Sequence, residues 1–183
     1  ALILVLRAFD SPLGDTNPIG ELDQLGGELV IADWELVEKR LERIAASKKK
    51  TEDKAQEPAL RKLAQALEDG KPARTVELTE EEAKALEGLE LLSAKPTVVV
   101  VNLAEDQFGQ SYPQQAELKK SCEESHWPLV EVCAQLELEI AALPQEEREP
   151  FLAEIGIAQP GIDLVAQAAY SSLDLISYFT VGE

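Results

Sequence analysis

The stretch Thr97-Val98-Val99-Val100-Val101-Asn102 decides the fold class of this chain. Four consecutive valines before a polar residue are typical of a strand buried on both faces of a parallel sheet. A similar apolar run precedes this one at residues 1–9, and another follows it at residues 129–133. Because helical patterns separate the three runs, the order predicts an α/β domain with a doubly wound parallel sheet.

Between the first two runs, the chain predicts an antiparallel helical hairpin. In residues 28–46, apolar side chains recur at spacings of 4, 3, 4 and 3, which places them on one stripe as in a coiled coil: Val30, Trp34, Val37, Leu41 and Ile44. A polar link follows, and Pro58 is suited to the first turn of a second helix. That helix carries a stripe of Leu60, Leu63 and Leu67 and ends at Gly70.

The remaining pattern supplies connections and helices around the sheet. Residues 10–27 are rich in Gly and Pro and predict a loop, with at most one helical turn near residues 21–25. Thr79 and Glu82 form a capping box that begins a short helix. Further helices are predicted at residues 114–125, 135–143, 144–155 and 161–173, and a last strand at residues 175–180. The domain prediction is therefore 1–27 and 96–173 for the sheet domain, 28–95 for the helical insertion, and 174–183 for the start of another domain.

Charge is divided unevenly along the chain. The whole chain carries 17 basic and 35 acidic residues, a net charge of −18. Residues 38–74 hold 11 of the basic residues and seven acids, so this segment is +4 and the rest is −22. One interpretation is a solvated helical surface with interspersed ion pairs. The other is an RNA-facing tip, because phosphate contacts need clustered Lys and Arg rather than a basic whole protein. The candidate contacts are Lys48, Lys49, Lys50, Lys54, Arg61 and Lys62.

Several classes of protein are disfavoured by the composition. Two cysteines, Cys122 and Cys133, and a single histidine, His126, do not provide a zinc site at these spacings. Free thiols in a reduced cytoplasm are the simplest interpretation, although a disulfide stays open. The apolar start at residues 1–6 is too short for a membrane helix and lacks the pattern of a signal peptide. Because the chain begins within a predicted core strand and stops just after another, we expect it to be an interior piece of a longer protein.

The end of the valine strand predicts a nucleotide-base site. P-loop GTPases carry an Asn-Lys-x-Asp box at the end of a central strand, and here the same spacing reads Asn102-Leu103-Ala104-Glu105. The change from Asp to Glu alters the carboxylate that pairs with guanine, so guanine specificity should weaken. Adenine offers an N6 donor and ring acceptors that an Asn amide can match. About thirty residues later, the strand end before Ala134 stands where a second base loop is expected to act through backbone N–H groups.

A wider set of residues resembles one family. The set comprises the Asn-Leu-Ala-Glu box, the run Val132-Cys-Ala-x-Leu-Glu-x-Glu-Ile140, and the ending Leu173-Asp-Leu-Ile-Ser-Tyr-Phe-Thr-Val-Gly182, with Leu6-Arg7-Ala8-Phe9 near the start. Together they resemble the YchF-like, Obg-related P-loop ATPases and GTPases across nearly all 183 residues. The resemblance implies part of a P-loop NTPase domain with an inserted helical coiled-coil domain, followed from about residue 174 by a TGS-like domain.

The resemblance also implies a function. Family members prefer ATP to GTP and associate with ribosomes in the cytoplasm, so we expect no membrane partner and no DNA sequence recognition. Base contacts would come from Asn102, Leu103 and the backbone at Ala134. Phe9 is either a stacking residue or a core aromatic, and Glu105 either caps its loop or contacts the base.

The phosphate-binding half of such a site is absent from the sequence. There is no Gly-x-x-x-x-Gly-Lys-Ser/Thr motif. This chain alone is therefore expected not to hydrolyse ATP, and Mg²⁺ is expected only in a longer parent protein, with ligands outside this chain.

Two other interpretations of the sequence stay open. The helical hairpin could be a non-catalytic module that binds a helical protein. Cys122 and His126 stand at i and i+4 and could imitate a Cys–His pair, although surface exposure of the histidine is expected instead. The carboxylates of Glu137, Glu139 and residues 146–149 are expected to be solvated helix faces.

Overall fold

The structure is a computed structural model that describes residues 1–12, 14–46, 51–176 and 178; at residues 51–54 it describes the backbone alone. It divides into two compact units. One consists of Ala1–Leu22 with Pro96–Glu183, and the other of Asp23–Lys95. The strand predicted at 175–180 lies largely outside the described residues.

The first unit is built on a parallel three-stranded sheet, as the valine run predicts. Its strands are β1 (Leu2–Arg7), β2 (Thr97–Asn102) and β3 (Leu129–Val132), in the order β1-β2-β3. Val98, Val99 and Val101 are fully buried. A strand whose two faces are both covered by other elements can be a continuous apolar run, which is why β2 lacks alternation.

Seven α-helices are described: three lie between β1 and β2 in the sequence, one between β2 and β3, and three after β3. They are α1 (Pro18–Ala46), α2 (Thr51–Glu68), α3 (Glu80–Ala85), α4 (Gln115–Glu124), α5 (Ala134–Ala142), α6 (Gln145–Glu154) and α7 (Gly161–Ser172). α7 packs on one face of the sheet, where Val98, Val100 and Val130 meet its Val165 and Ala169. α4 contributes two buried residues, Leu118 and Cys122, to the unit.

The helical unit has its own apolar core. Val30, Val37 and Ile44 of α1 cluster there with Leu60 and Leu63 of α2. The predicted hairpin is therefore present as two helices with a shared core. One position of the predicted stripe is wrong: Trp34 is 38% exposed, and the neighbouring Asp33, at 1%, is buried instead.

Two helix boundaries also differ from the sequence prediction. α1 begins at Pro18 and continues through Gly26 and Gly27, where a loop was expected. The Asn17 side chain accepts a hydrogen bond from the Gly20 N–H at 3.1 Å, which caps this early start. α2 begins before Pro58, so this proline lies inside the helix rather than in its first turn.

A buried carboxylate joins distant parts of the helical unit. Asp33 accepts hydrogen bonds from the Leu92 and Ser93 N–H groups, both at 2.7 Å, and from the Ser93 hydroxyl at 2.6 Å. The Ser93 oxygen accepts in turn from the Ala73 N–H at 2.9 Å. Burying the charge is tolerated because three donors satisfy it.

Candidate nucleotide-base site

The carboxyl ends of all three strands meet at one edge of the sheet. Arg7 of β1 lies opposite Asn102 of β2, and Asn102 lies opposite Val132 of β3. In parallel strands the following loops emerge at the same edge, which is where open α/β sheets bind ligands. The loops that begin after Arg7, Asn102 and Val132 are therefore neighbours, as the base-site prediction requires.

A side-chain hydrogen bond links the two predicted base loops. The Oδ1 atom of Asn102 accepts from the Ala134 N–H at 3.0 Å. Next to it, the Leu103 N–H donates to the Val132 carbonyl at 2.8 Å and extends the β2–β3 ladder by one bond. Asn102 thus holds the loop at the start of α5 against the end of β2.

Gln107 closes the same edge toward β1. Its Nε2 group donates to the Ala8 carbonyl at 2.8 Å, and its Oε1 atom accepts from the Ala104 N–H at 3.0 Å. The Ala8 N–H donates to the Asn102 carbonyl at 3.0 Å. Gln107 was not among the site residues predicted from the sequence. The available signal was its position three residues after Ala104, the spacing at which a Gln side chain reaches back to cap a helical turn.

The other predicted base residues occupy different environments. Leu103 is only 2% exposed, so it packs in the core beneath the edge. Phe9 is half-buried, and Glu105 is exposed at the start of a single 3₁₀ turn, Glu105–Gln107. The structure thus brings Asn102 and Ala134 of the predicted set into direct contact.

The loop after β1 is held by Arg7. Its backbone N–H donates to Glu21 Oε2 at 2.9 Å, and its guanidinium lies 3.6 Å from Glu21 Oε1. The guanidinium also donates to the Ser11 hydroxyl and, at 3.2 Å, to the Gly14 carbonyl. These bonds connect the start of α1 to the loop that follows Phe9. No motif in the sequence pointed to this role.

Glu137 was expected to be a solvated carboxylate, and that expectation is wrong. Its Oε1 atom accepts from the Gly161 N–H at 2.6 Å, and Oε2 accepts from the Ile162 N–H at 3.4 Å. A carboxylate at a helix N-terminus satisfies free N–H groups and matches the helix dipole. A Cβ at position 161 would lie 2.8 Å from Val132 Cγ1, so this close approach requires glycine.

The possible Cys–His pair does not form a reactive centre. Cys122 is 1% exposed, and burial raises the pKa of its thiol to about 11, which is opposite to the activation of a nucleophile. His126 is exposed and has a left-handed φ of 55°. Cys122 and Cys133 are both buried, free thiols, so no disulfide joins them.

A cavity of about 680 Å³ lies beside β3, away from the predicted base residues. Phe108, Cys122, Trp127, Leu129 and Glu131 contribute to its lining. None of the predicted base residues lines it.

The predicted RNA-contact residues are only partly described. Arg61 forms an ion pair with Glu57 at 2.7 Å, and Lys62 forms one with Glu82 at 2.6 Å. Lys48, Lys49, Lys50 and the side chain of Lys54 lie outside the described residues.

The described ranges contain neither a metal-binding cluster nor a membrane-spanning helix. No group of three or more His, Cys, Asp or Glu side chains there could hold a metal ion. No helix among the residues described is long and apolar enough to cross a membrane.

Comparison with known proteins identifies the class. The chain is 38% identical over 192 residues to the ribosome-binding ATPase YchF of Bacillus subtilis, covering 100% of this chain and 52% of that protein. It is 33% identical to the Escherichia coli O157:H7 protein of the same name, covering 97% of this chain and 51% of the relative. The structure of the Schizosaccharomyces pombe YchF GTPase matches all of this chain with a TM-score of 0.82 at 29% identity, over 52% of that protein. No family model matches the chain.

The parallel sheet, its loop edge and the inserted helical unit define part of a P-loop NTPase α/β domain. The chain belongs to the YchF-like family, and it spans about half the length of the relatives it matches.

Proposed function

We propose that this chain is the base-recognition part of an Obg-related, ribosome-associated nucleotide-binding protein that prefers ATP to GTP. The observation that carries the proposal is the hydrogen bond from Ala134 N–H to Asn102 Oδ1. It joins the two loops that would surround a purine. It also leaves the Nδ2 group of Asn102 to donate to a purine ring acceptor such as N7.

The preference for adenine follows from what replaces the guanine-reading carboxylate. N7 is an acceptor in both purines, so Asn102 alone does not distinguish them. Guanine needs an acceptor for its N1–H and N2 amine, and Glu105 is one methylene longer than the usual Asp and exposed on a 3₁₀ turn. Adenine instead needs an acceptor for its N6 amine, which a loop carbonyl can supply. Leu103, buried below the edge, supports the loop without adding polar discrimination.

Phosphate binding and catalysis require groups beyond these. The residues of this edge suit a base, but the sequence has no Gly-x-x-x-x-Gly-Lys-Ser/Thr motif. Phosphates and Mg²⁺ would be held by other parts of the whole protein, and ATP hydrolysis would be its activity rather than that of this chain alone. The helical unit would be an arm that contacts the ribosome in the cytoplasm, with a coiled-coil hairpin as its core.

Replacement of Asn102 tests the base site. In the whole protein that carries this chain, Asn102→Ala should weaken binding of a fluorescent ATP analogue by about tenfold, because a base contact and a loop tether are lost together. Gln65→Ala is a matched control, because the Gln65 amide also makes a side-chain hydrogen bond, to Asp69 Oδ1 at 3.3 Å, within the helical unit. The control should bind like the wild type.

Two results would reject the proposal. One is tighter binding of the corresponding GTP analogue than of the ATP analogue by the wild type. The other is unchanged affinity in Asn102→Ala at normal folding, judged by circular dichroism. If nucleotide binding is absent while the helical unit binds a helical protein with little dependence on salt, the interaction-module alternative is supported instead.

A further inference from the structure

The described cations of the helical unit fall into two groups. On α2, Arg61 and Lys62 are each engaged by a carboxylate, Glu57 at 2.7 Å and Glu82 at 2.6 Å. An acid within this distance neutralises much of the field that would attract a polyanion. These two α2 cations are therefore matched one to one by acids.

The second group lines a groove on α1. Lys39, Arg40 and Arg43 line a cavity of about 270 Å³ together with Gln56 of α2 and the turn at residues 86–89. The cations stand at i, i+1 and i+4, and residues three or four apart lie about 5–6 Å from each other on a helix surface. Glu87 is the single acid in the lining, so the groove carries an excess of positive charge within a chain of net charge −18.

The side chains of the groove are arranged rather than loose. The Arg40 Nε group donates to Gln56 Oε1 at 3.0 Å, which orients its guanidinium across the two helices. Lys39 pairs with Glu35 at 3.3 Å in the same i, i+4 geometry as Arg61 with Glu57, so the groove differs from α2 by its cluster of three cations and not by a lack of acids. Arg43 is exposed and has no ion-pair partner among the side chains described.

We propose that this groove is a phosphate-binding site of the helical unit and that it takes the backbone of RNA. The inference rests on the proposed ribosome association and names the surface responsible. A guanidinium group donates two parallel hydrogen bonds to phosphate, and Arg43 and Lys39, one helical turn apart, can engage neighbouring phosphates of one strand. The groove has no aromatic side chain in its lining, so it would read the backbone and not the bases.

The test compares two double variants of the 183-residue chain. Lys39→Gln/Arg43→Gln removes two groove cations, and Arg61→Gln/Lys62→Gln removes the same charge from α2 of the same unit. The probe is a short fluorescein-labelled RNA hairpin followed by anisotropy over a range of salt concentrations. Each phosphate contact contributes about 0.7 to the slope of log affinity against log salt concentration, so the loss of two contacts lowers this slope by about 1.4. If all variants bind alike at about 1 M salt, the groove variant should bind about 25-fold more weakly than the wild type at about 0.1 M salt. The α2 variant should stay within about threefold of the wild type.

Further readouts separate the possible failures. Circular dichroism checks that both variants fold, and co-sedimentation of the wild-type chain with ribosomes tests the association itself. If the wild type neither co-sediments nor binds RNA, the proposed ribosome association fails and the groove with it. If the wild type binds and the α2 variant loses as much affinity as the groove variant, the groove assignment alone is overturned. If the groove variant loses binding to a poly-glutamate peptide but keeps RNA affinity, the occupant is an acidic protein and the RNA proposal is rejected.

Discussion

The substitution Asp33→Asn should strongly destabilise the helical unit. The Asp33 carboxylate is 1% exposed and accepts three hydrogen bonds of 2.6–2.7 Å, from Leu92 N–H, Ser93 N–H and the Ser93 hydroxyl. Asparagine preserves the shape but presents an NH₂ group where one oxygen accepted. Whichever way the amide turns, at least one buried N–H then faces another donor.

The size of the effect follows from these bonds. A hydrogen bond to a charged acceptor contributes about 1.5–3 kcal/mol, and an unsatisfied buried donor costs about 1–3 kcal/mol, so Asp33→Asn should destabilise the unit by roughly 3–5 kcal/mol. With a urea m-value of about 1 kcal/mol/M, this loss would lower the unfolding midpoint by about 3 M or more. Asp69→Asn is the matched control. Asp69 accepts from Gln65 at 3.3 Å at the exposed end of α2, and its replacement should change stability by less than about 0.5 kcal/mol.

The assay uses the two tryptophans of the chain, one in each unit. Trp34 lies in the helical unit and Trp127 in the sheet unit. A Trp127→Phe background leaves Trp34 emission to report urea unfolding of the helical unit alone, which avoids treating a two-unit chain as one transition. The reasoning is refuted if the Asp33→Asn midpoint lies within about 0.3 M of that of Asp69→Asn, since the carboxylate would then contribute no more than an exposed one.

Two further predictions concern titratable groups. Burial raises the pKa of the Cys122 thiol to about 11, and Cys133 is also buried. Ellman's reagent at about pH 8 should therefore label neither thiol in the native chain and both thiols in urea. Rapid labelling of the native chain would contradict this packing. Glu82 has a pKa below its ordinary value of 4.5, because the Lys62 ammonium and the Thr79 N–H donate to its carboxylate. Its stabilising contribution is complete above the ordinary pKa and is lost as the pH falls through the lowered one. In Glu82→Gln, the free energy of unfolding of the helical unit should therefore fall less steeply as the pH is lowered. An unchanged pH dependence would show that Glu82 does not contribute to it.

Elements that depend on neighbours along the chain could be predicted from the sequence. The valine run of β2 is apolar throughout because both of its faces are covered, and the structure confirms it as the central strand. The capping box of Thr79 and Glu82 is confirmed as well, with both reciprocal hydrogen bonds present. Its partners are three residues apart, so no tertiary contact is needed to form it.

Other features depended on packing that no local pattern reveals. The spacing of apolar residues placed Trp34 on the core stripe of the first hairpin helix. In the structure Asp33 is buried in its place, because the N–H groups of Leu92 and Ser93 donate hydrogen bonds to its carboxylate. Gly26 and Gly27 suggested a loop, yet both lie inside α1. A glycine in a helix costs about 1 kcal/mol, and burial of Val30 and its neighbours in the core offsets such a cost.

The sequence by itself determined the class of fold and the two strand ends where a base would be read. It also determined that positive charge collects in the helical segment. Only the tertiary structure decided that Asn102 reaches Ala134, because that contact depends on the register of β2 against β3. It likewise decided which cations are already paired: Arg61 meets Glu57, whereas Arg43 lines a groove between elements. Charge is a property of composition, but the field that a partner meets depends on which opposite charges the fold brings close.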